Sequence, residues 1–156
     1  MAQKIGGDIK RDNSVDDLIA LECKLGLDRV DTLSRFNTRI NTTRDSLHKL
    51  IYSLKKEGKT IAGFGAPTKA TTLMAHFGLN EKILDFIVDD NPLKQGLFTP
   101  ITHIPVLSAD SLYELKPDYL LILAWNFAEQ IMQMHDKYGE EIGEFILPMP
   151  EPKVVS

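Results

Sequence analysis

The sequence predicts an α/β domain, a Rossmann-like, doubly wound and mostly parallel five-stranded sheet preceded by two helices. Three observations predict it. From residue 59 onward, short apolar runs alternate with segments whose apolar residues recur at threes and fours. Clusters of Gly, Pro, Asn and Asp separate these segments. The first apolar run ends in Gly63-Phe64-Gly65-Ala66-Pro67, which reads as strand, tight turn and helix start, because proline suits a first helical position where its missing N–H costs nothing.

The elements follow in order. Residues 1–13 are polar, contain Gly6-Gly7 and show no periodicity, so they are expected to be a flexible arm. A helical lead-in packed on the domain is expected over 14–58. Ser14, with Asp16 and Asp17, starts a helix carrying Leu18, Ile19, Leu21 and Leu25 that Gly26 ends. A longer helix over Asp31–Glu57 places Leu33, Phe36, Ile40, Leu47, Leu50, Ile51 and Leu54 on one stripe before Gly58. The Rossmann-like domain proper spans 59–156. Its strands are expected at Lys59–Gly65, Leu84–Val88, Ile104–Leu107, Tyr119–Ala124 and Phe145–Leu147. Helices are expected at Pro67–Phe77 with Gly78 as its stop, after a Ser108 cap, and from an Asn126/Glu129 capping pair to Gly139, the last with Phe127, Ile131, Met134 and Tyr138 on one stripe. Pro148, Pro150 and Pro152 mark a tail that continues neither element.

Strands joined by helical crossovers make a parallel sheet, here expected in the order 3-2-1-4-5, and ligands of such sheets bind beyond the carboxyl ends of the strands where the order reverses. That rule brings Gly63, Gly65, Ala66, Pro67 and Lys69 to one crevice with Trp125, Asn126 and Phe127, and Asp89, Asp90 and Asn91 alongside. Helix-start N–H groups directed out of the turn favour an anion, and Lys69 near the positive helix end is favourable only beside one. Asp89 falls where a dinucleotide fold holds its ribose acid, or else forms an Asx turn into Asn91-Pro92. Trp125 beside Asn126 suits stacking plus a hydrogen bond, although the pair equally suits core closure and capping. His103 either meets the site or holds its loop. His48, His76 and His135 read as structural or exposed.

Composition narrows the function. The 156 residues are 43% hydrophobic and 26% charged, enough for one domain with a core. A net charge of −4 with 18 scattered basic residues excludes a nucleic-acid stripe. The single cysteine, Cys23, forms no internal disulfide, and no Cys/His ligand spacing marks a metal site. No run of membrane-spanning length and no signal peptide are present, so a cytoplasmic protein without membrane partners is expected. No nucleophile–base pair is evident. The dinucleotide fingerprint is incomplete, with Thr68 in place of its third glycine, which counts against an NAD oxidoreductase. These residues leave a binding domain without catalytic machinery, and a stand-alone nucleotide-binding or regulatory module remains an alternative.

Gly63-Phe64-Gly65-Ala66-Pro67-Thr68-Lys69-Ala70-Thr71-Thr72-Leu73 together with Phe86 through Gly96, Thr99-Pro100, His103-Ile104-Pro105, Leu123 through Ala128 and Pro148 through Pro152 resembles the C-terminal domain of S-adenosylmethionine-dependent sugar C-methyltransferases. The resemblance covers roughly residues 14–155. It implies a three-part enzyme: an N-terminal zinc domain, a central methyltransferase domain and this Rossmann-like domain, with a nucleotide-linked keto-deoxysugar bound between the last two. Those enzymes carry an acid–base His and Tyr just upstream of a Gly-Gly-Ser-type segment. Here Ile5-Gly6-Gly7-Asp8 is preceded only by Met1–Lys4, so catalytic residues are assigned to no position. The resemblance thus implies a domain apart from its enzyme, as a fragment or separately encoded, inactive alone. It binds a nucleotide sugar and partners a methyltransferase domain in cis or trans, while S-adenosylmethionine and zinc belong to the other domains. A cooperative thermal melt whose midpoint is unchanged by chelators is the expected behaviour of a chain that closes its core without a cofactor.

Overall fold

The computed structural model describes residues 6–7 and 12–155, so most of the arm expected over 1–13 lies outside the described residues. The chain divides into two compact units, Met1–Ile40 and Asn41–Ser156. The first holds helix α1 (Ser14–Leu25) and the start of α2 (Val30–Lys56). Gly26 ends α1 in the left-handed conformation, and its N–H bonds the Cys23 carbonyl, as a glycine C-cap should. No residue of α1 is buried.

In the second unit, α2 continues and buries Leu47, Ile51 and Leu54. Strand β1 (Ile61–Phe64) leads to α3 (Thr68–Phe77), then to β2 (Ile87–Val88) and β3 (Val106–Leu107). Helix α4 (Ser111–Leu115), β4 (Tyr119–Ile122), α5 (Ala128–Met134), α6 (Asp136–Glu141), β5 (Glu144–Leu147) and β6 (Lys153–Val155) follow. The sheet runs β3-β2-β1-β4-β5-β6, parallel except for β6.

Alternation along the strands sends side chains to two buried faces. Ala62, Phe64, Leu120, Ile122 and Phe145 join a core with Leu112 of α4, Ile131 of α5 and Tyr138 of α6. Ile61, Ile87, Leu121 and Ile146 point the other way and are buried too, while the buried stripes of α2 and α3 take no part in the first core. Both faces being covered, the strands read as continuous apolar runs rather than alternating ones.

Several expectations are corrected. The sheet has six strands, not five: the prolines at 148, 150 and 152 sit before Lys153–Val155, whose N–H groups are free to pair antiparallel with β5, Phe145 opposite Val155. Asn126 does not cap α5. It lies inside a single 3-10 turn, Trp125–Phe127, and no side chain caps the following helix. The expected helix to Gly139 is two helices, divided at His135 (φ −117°, ψ 33°), with Gly139 inside α6. Of the expected stripe, Ile131 and Tyr138 are buried, but Phe127 and Met134 are exposed, and His135 is buried instead. Helix α4 starts at Ser111 after an Asp110 N-cap, not at a Ser108 cap. Pro67 is the N-cap residue of α3 (φ −73°, ψ 160°) rather than its first helical residue.

One carboxylate fastens the amino ends of the two central strands. Asp118 accepts hydrogen bonds from the Thr60 backbone N–H at 2.8 Å and hydroxyl at 2.7 Å, and pairs with Lys59 at 3.0 Å. The Thr60 bonds first, and Lys59 after them, hold its pKa at about 2. Since the folded value lies below the unfolded one, this stabilisation is complete above about pH 4 and is lost as pH falls toward 2. Solvent at a side chain 37% exposed trims its worth to about 1 kcal/mol. Asp118→Asn should therefore lower the melting midpoint at pH 7 and leave it nearly unchanged at pH 2; equal losses at both values would refute the linkage.

Candidate functional site

The glycine turn links β1 to α3 and is tied from within. Gly65 adopts φ +88°, and a Cβ there would stand 2.9 Å from the Ala124 Cβ, so only glycine fits without displacing the loop after β4. Gly63 is a packing residue: a Cβ would meet Ile87 at 2.9 Å and Leu123 at 3.0 Å. The N–H of Gly65 bonds the Val88 carbonyl at 2.7 Å, and that of Ala66 bonds the Asp89 carboxylate at 2.7 Å. Contrary to the expectation that the turn directs its N–H groups outward, these two are spent inside the fold.

Asp89 is the reason. Buried at the end of β2, it accepts from Ala66 N–H, from Asn91 N–H at 2.9 Å and from the Lys94 ammonium at 2.9 Å. Its backbone carbonyl takes a further bond from the Gln95 amide. Burial raises its pKa, but Lys94 and the two N–H groups outweigh burial and hold the carboxyl below its ordinary value. Asn91 continues the loop by accepting the Leu93 N–H at 3.0 Å, an Asx turn.

Across the β1–β4 pair, the Lys69 ammonium stands 4.9 Å from the Trp125 ring centroid and 5.6 Å from that of Phe127. A cation on the first turn of α3 opposes the helix dipole, and the two aromatic faces supply the compensating negative potential. Glycine turn, Asp89 loop and Lys69–Trp125 contact thus meet beyond the carboxyl ends of β2, β1 and β4. A cleft of about 180 Å³ opens beside them, lined by Ala66, Pro67, Met74, Lys94, Phe98 and Thr99. A second concavity, about 430 Å³, has Trp125, Asn126, Glu129, Gln130 and Lys153 on its walls.

His103 is not brought into this group. It is exposed in the loop before β3 at φ +52°, and its backbone N–H bonds the Thr99 carbonyl within that loop. A third concavity, about 560 Å³, is lined by Met132, Asp136, Phe145 and Val155 among others and contains none of the expected site residues. Glu129, Gln133 and Glu140 also stand on its walls.

The structure adds residues that sequence reading missed. Lys94 and Gln95 could have been found, since five and six residues past Asp89 lets a loop fold back on it. Phe127, expected at the crevice with Trp125 and Asn126, does meet Lys69 there. His135, read as structural or exposed, is structural and buried. Its ring packs 4.9 Å from Phe64, its Nδ1 lies 3.1 Å from the Tyr113 hydroxyl, and its buried Nε2 has no hydrogen-bond partner among the described residues. Burial lowers its pKa despite Asp90 and Asp136, keeping the ring neutral. Among the described residues no group of three or more His, Cys, Asp or Glu side chains could hold a metal, and no helix is long and apolar enough to cross a membrane.

Comparison with known proteins places the chain in a family. The family described as the C-methyltransferase C-terminal domain matches residues 1–150. The chain belongs to that family. It is also similar to the C-methyltransferase NovU of Streptomyces niveus, 37% identical over 143 residues, which are 92% of this chain and 34% of that protein. The chain therefore spans about a third of the length of its relative. The glycine turn, the Asp89 loop and the Trp125 turn all lie within the matched residues of this C-methyltransferase domain.

Two substitutions test how the turn is held. Asp89→Ala removes the acceptor of the Ala66 and Asn91 N–H groups and should cost about 2–3 kcal/mol in urea unfolding. Gly65→Ala adds backbone strain and a clash with Ala124, for a loss of about 1–3 kcal/mol. A midpoint shift below the error of the melt for either variant would show that the loop relaxes without cost.

Proposed function

We propose that this chain is the nucleotide-sugar-binding domain of an S-adenosylmethionine-dependent C-methyltransferase that acts on a nucleotide-linked keto-deoxysugar, and that it is inactive alone. Its sheet is read as Rossmann-like and doubly wound, with the ligand at the reversal between β1 and β4. The observation that carries the reading is Lys69 held against Trp125 and Phe127 at that reversal. An ammonium poised on aromatic faces beside a helix start suits a diphosphate, and the indole and Asn126 suit a base or sugar. Family membership supports the reaction class, and the name of the NovU relative supports carbon as the methylated atom.

The residues here do not fit the methyl donor itself. The position that would accept ribose hydroxyls is Asp89, and its carboxylate already takes three hydrogen bonds from its own loops. Nor does the donor set among the described residues suit zinc. Both are assigned to the remainder of the methyltransferase polypeptide, where the donor supplies an electrophilic methyl group when bound. Carbon methylation needs a base beside the ketone and a fixed approach of the two carbons. This chain's share is orientation: Lys69 holds the diphosphate, Trp125 the planar group, and the Asp89-braced turn keeps both in place. The protein is read as cytoplasmic, without nucleic-acid or membrane partners.

Titration with a thymidine-diphosphate sugar, followed by chemical-shift mapping, tests the reading. Shifts should cluster on 63–69, 89–91 and 125–126. Lys69→Ala should weaken binding by about tenfold to a hundredfold, the loss of one charge-assisted hydrogen bond, with little change in stability. Shifts confined to 33–54, with the glycine turn silent, would sink the site.

A further inference from the structure

His135 is a buried titratable side chain that the proposed ligand site does not use. It is 6% exposed and sits at the break between two helices, as the C-cap of α5 and the N-cap of α6. Its N–H bonds the Ile131 carbonyl at 3.0 Å, and its own carbonyl accepts the Tyr138 N–H at 3.0 Å. A neutral imidazole has one donor and one acceptor nitrogen. With Nδ1 at 3.1 Å from the Tyr113 hydroxyl of α4, either tautomer leaves Nε2 without a partner among the described residues. Protonation turns both nitrogens into donors, so the buried ring would then carry a charge and an N–H that has no acceptor. Besides Tyr113, the titratable groups that act on the ring are Asp90, after β2, and Asp136, on α6, and both are exposed. Strand β1 presents the apolar Phe64.

Phe64 connects this ring to the crevice. Its ring centroid lies 4.9 Å from that of His135, and its carbonyl accepts the Leu123 and Ala124 N–H groups at 2.9 and 3.3 Å. Gly65 follows Phe64 directly, Trp125 follows Ala124, and α5, which His135 closes, starts where the Trp125–Phe127 turn ends. We propose that His135 is a proton-operated latch on the nucleotide-sugar site. Neutral, its ring packs on Phe64 and keeps the glycine turn and the Trp125 turn together; protonated, it swings at the α5–α6 break toward Asp90 and Asp136 and lets the two turns separate. The inference rests on the function proposed above. His135 is a positioning residue, since it reaches the ligand only through Phe64. Burial moves its proton uptake below the ordinary imidazole value of 6.5, so the latch is closed at neutral pH and opens as pH falls. When only the closed form binds, affinity follows its population and drops by up to about tenfold for each pH unit below the midpoint of the ring.

The test follows the full chain without ligand by NMR from about pH 8 to about pH 4.5, reading the His135 ring nitrogens beside the amides of Gly65 and 124–127. The amides are expected to titrate with that ring, at its midpoint and not at those of His48, His76 or His103. Affinity for a thymidine-diphosphate sugar, whose diphosphate stays doubly charged throughout, should fall by about tenfold over the first pH unit below the same midpoint. His135→Phe keeps a ring against Phe64 and removes the proton, so it should abolish both the amide titration and the pH dependence of binding, a result that lost packing alone would not give. Should that variant fail to fold, the ring and amide titrations of the parent decide, together with Tyr113→Phe, which removes the Nδ1 partner and should move the midpoints of ring, amides and affinity together. A ring that stays neutral throughout, amides that ignore its titration, or binding that keeps its pH dependence in His135→Phe would each overturn the latch. Amides that follow the ring in a chain that binds no nucleotide sugar at about pH 8 overturn the ligand site alone. Binding with a flat profile across the midpoint of the ring overturns the latch alone.

Discussion

The Asp89 carboxylate is the constraint on which the site depends. A turn between a buried strand and a helix leaves N–H groups that must find acceptors. Here the acceptor comes from the neighbouring strand, so that Ala66, Asn91 and Lys94 converge on one side chain. The turn after β1 and the loop after β2 are thereby a single hydrogen-bonded piece. Gly65, pressed on Ala124, joins the loop after β4 to it. Three strand ends are thus held in register by one carboxylate and one missing methyl group.

That rigidity gives the Lys69–Trp125 contact its meaning. A lysine at a helix start is free to swing into solvent, and the cost of ordering it is set by its four rotatable bonds. With the turn fixed, the ammonium rests on two rings whose backbone is itself fixed by β4, so much of that ordering precedes any ligand. The same logic explains why an acid where a dinucleotide fold reads ribose serves here as a brace. A carboxylate cannot hold its own loop with three bonds and still present the acceptors that a diol needs.

The two units contrast in how their apolar residues are used. In the second, both sheet faces are covered and the core is continuous through Tyr138, whose hydroxyl finds the Pro117 carbonyl at 2.8 Å. In the first, helical periodicity is equally regular, yet no side chain of α1 is buried. Amphipathic pattern states that a face must be covered and is silent about by what.

The sequence by itself determined the α/β class, the parallel strand order through β5, the glycine stops at 26, 58 and 78, and family membership, because each follows from local chemistry: periodicity, turn residues, dense motif identity. It also placed Lys69 and Trp125 on one edge, since both follow strands that the crossover rule makes neighbours. Only the tertiary structure decided what depends on partners distant in the chain. Asp89 became a brace because Lys94 and Ala66 reach it, and His135 entered the core in place of Met134 because Phe64 and Tyr113 surround it. The sixth strand exists because β5 offers an edge, and three residues after a proline carry too little periodicity to announce that pairing on their own.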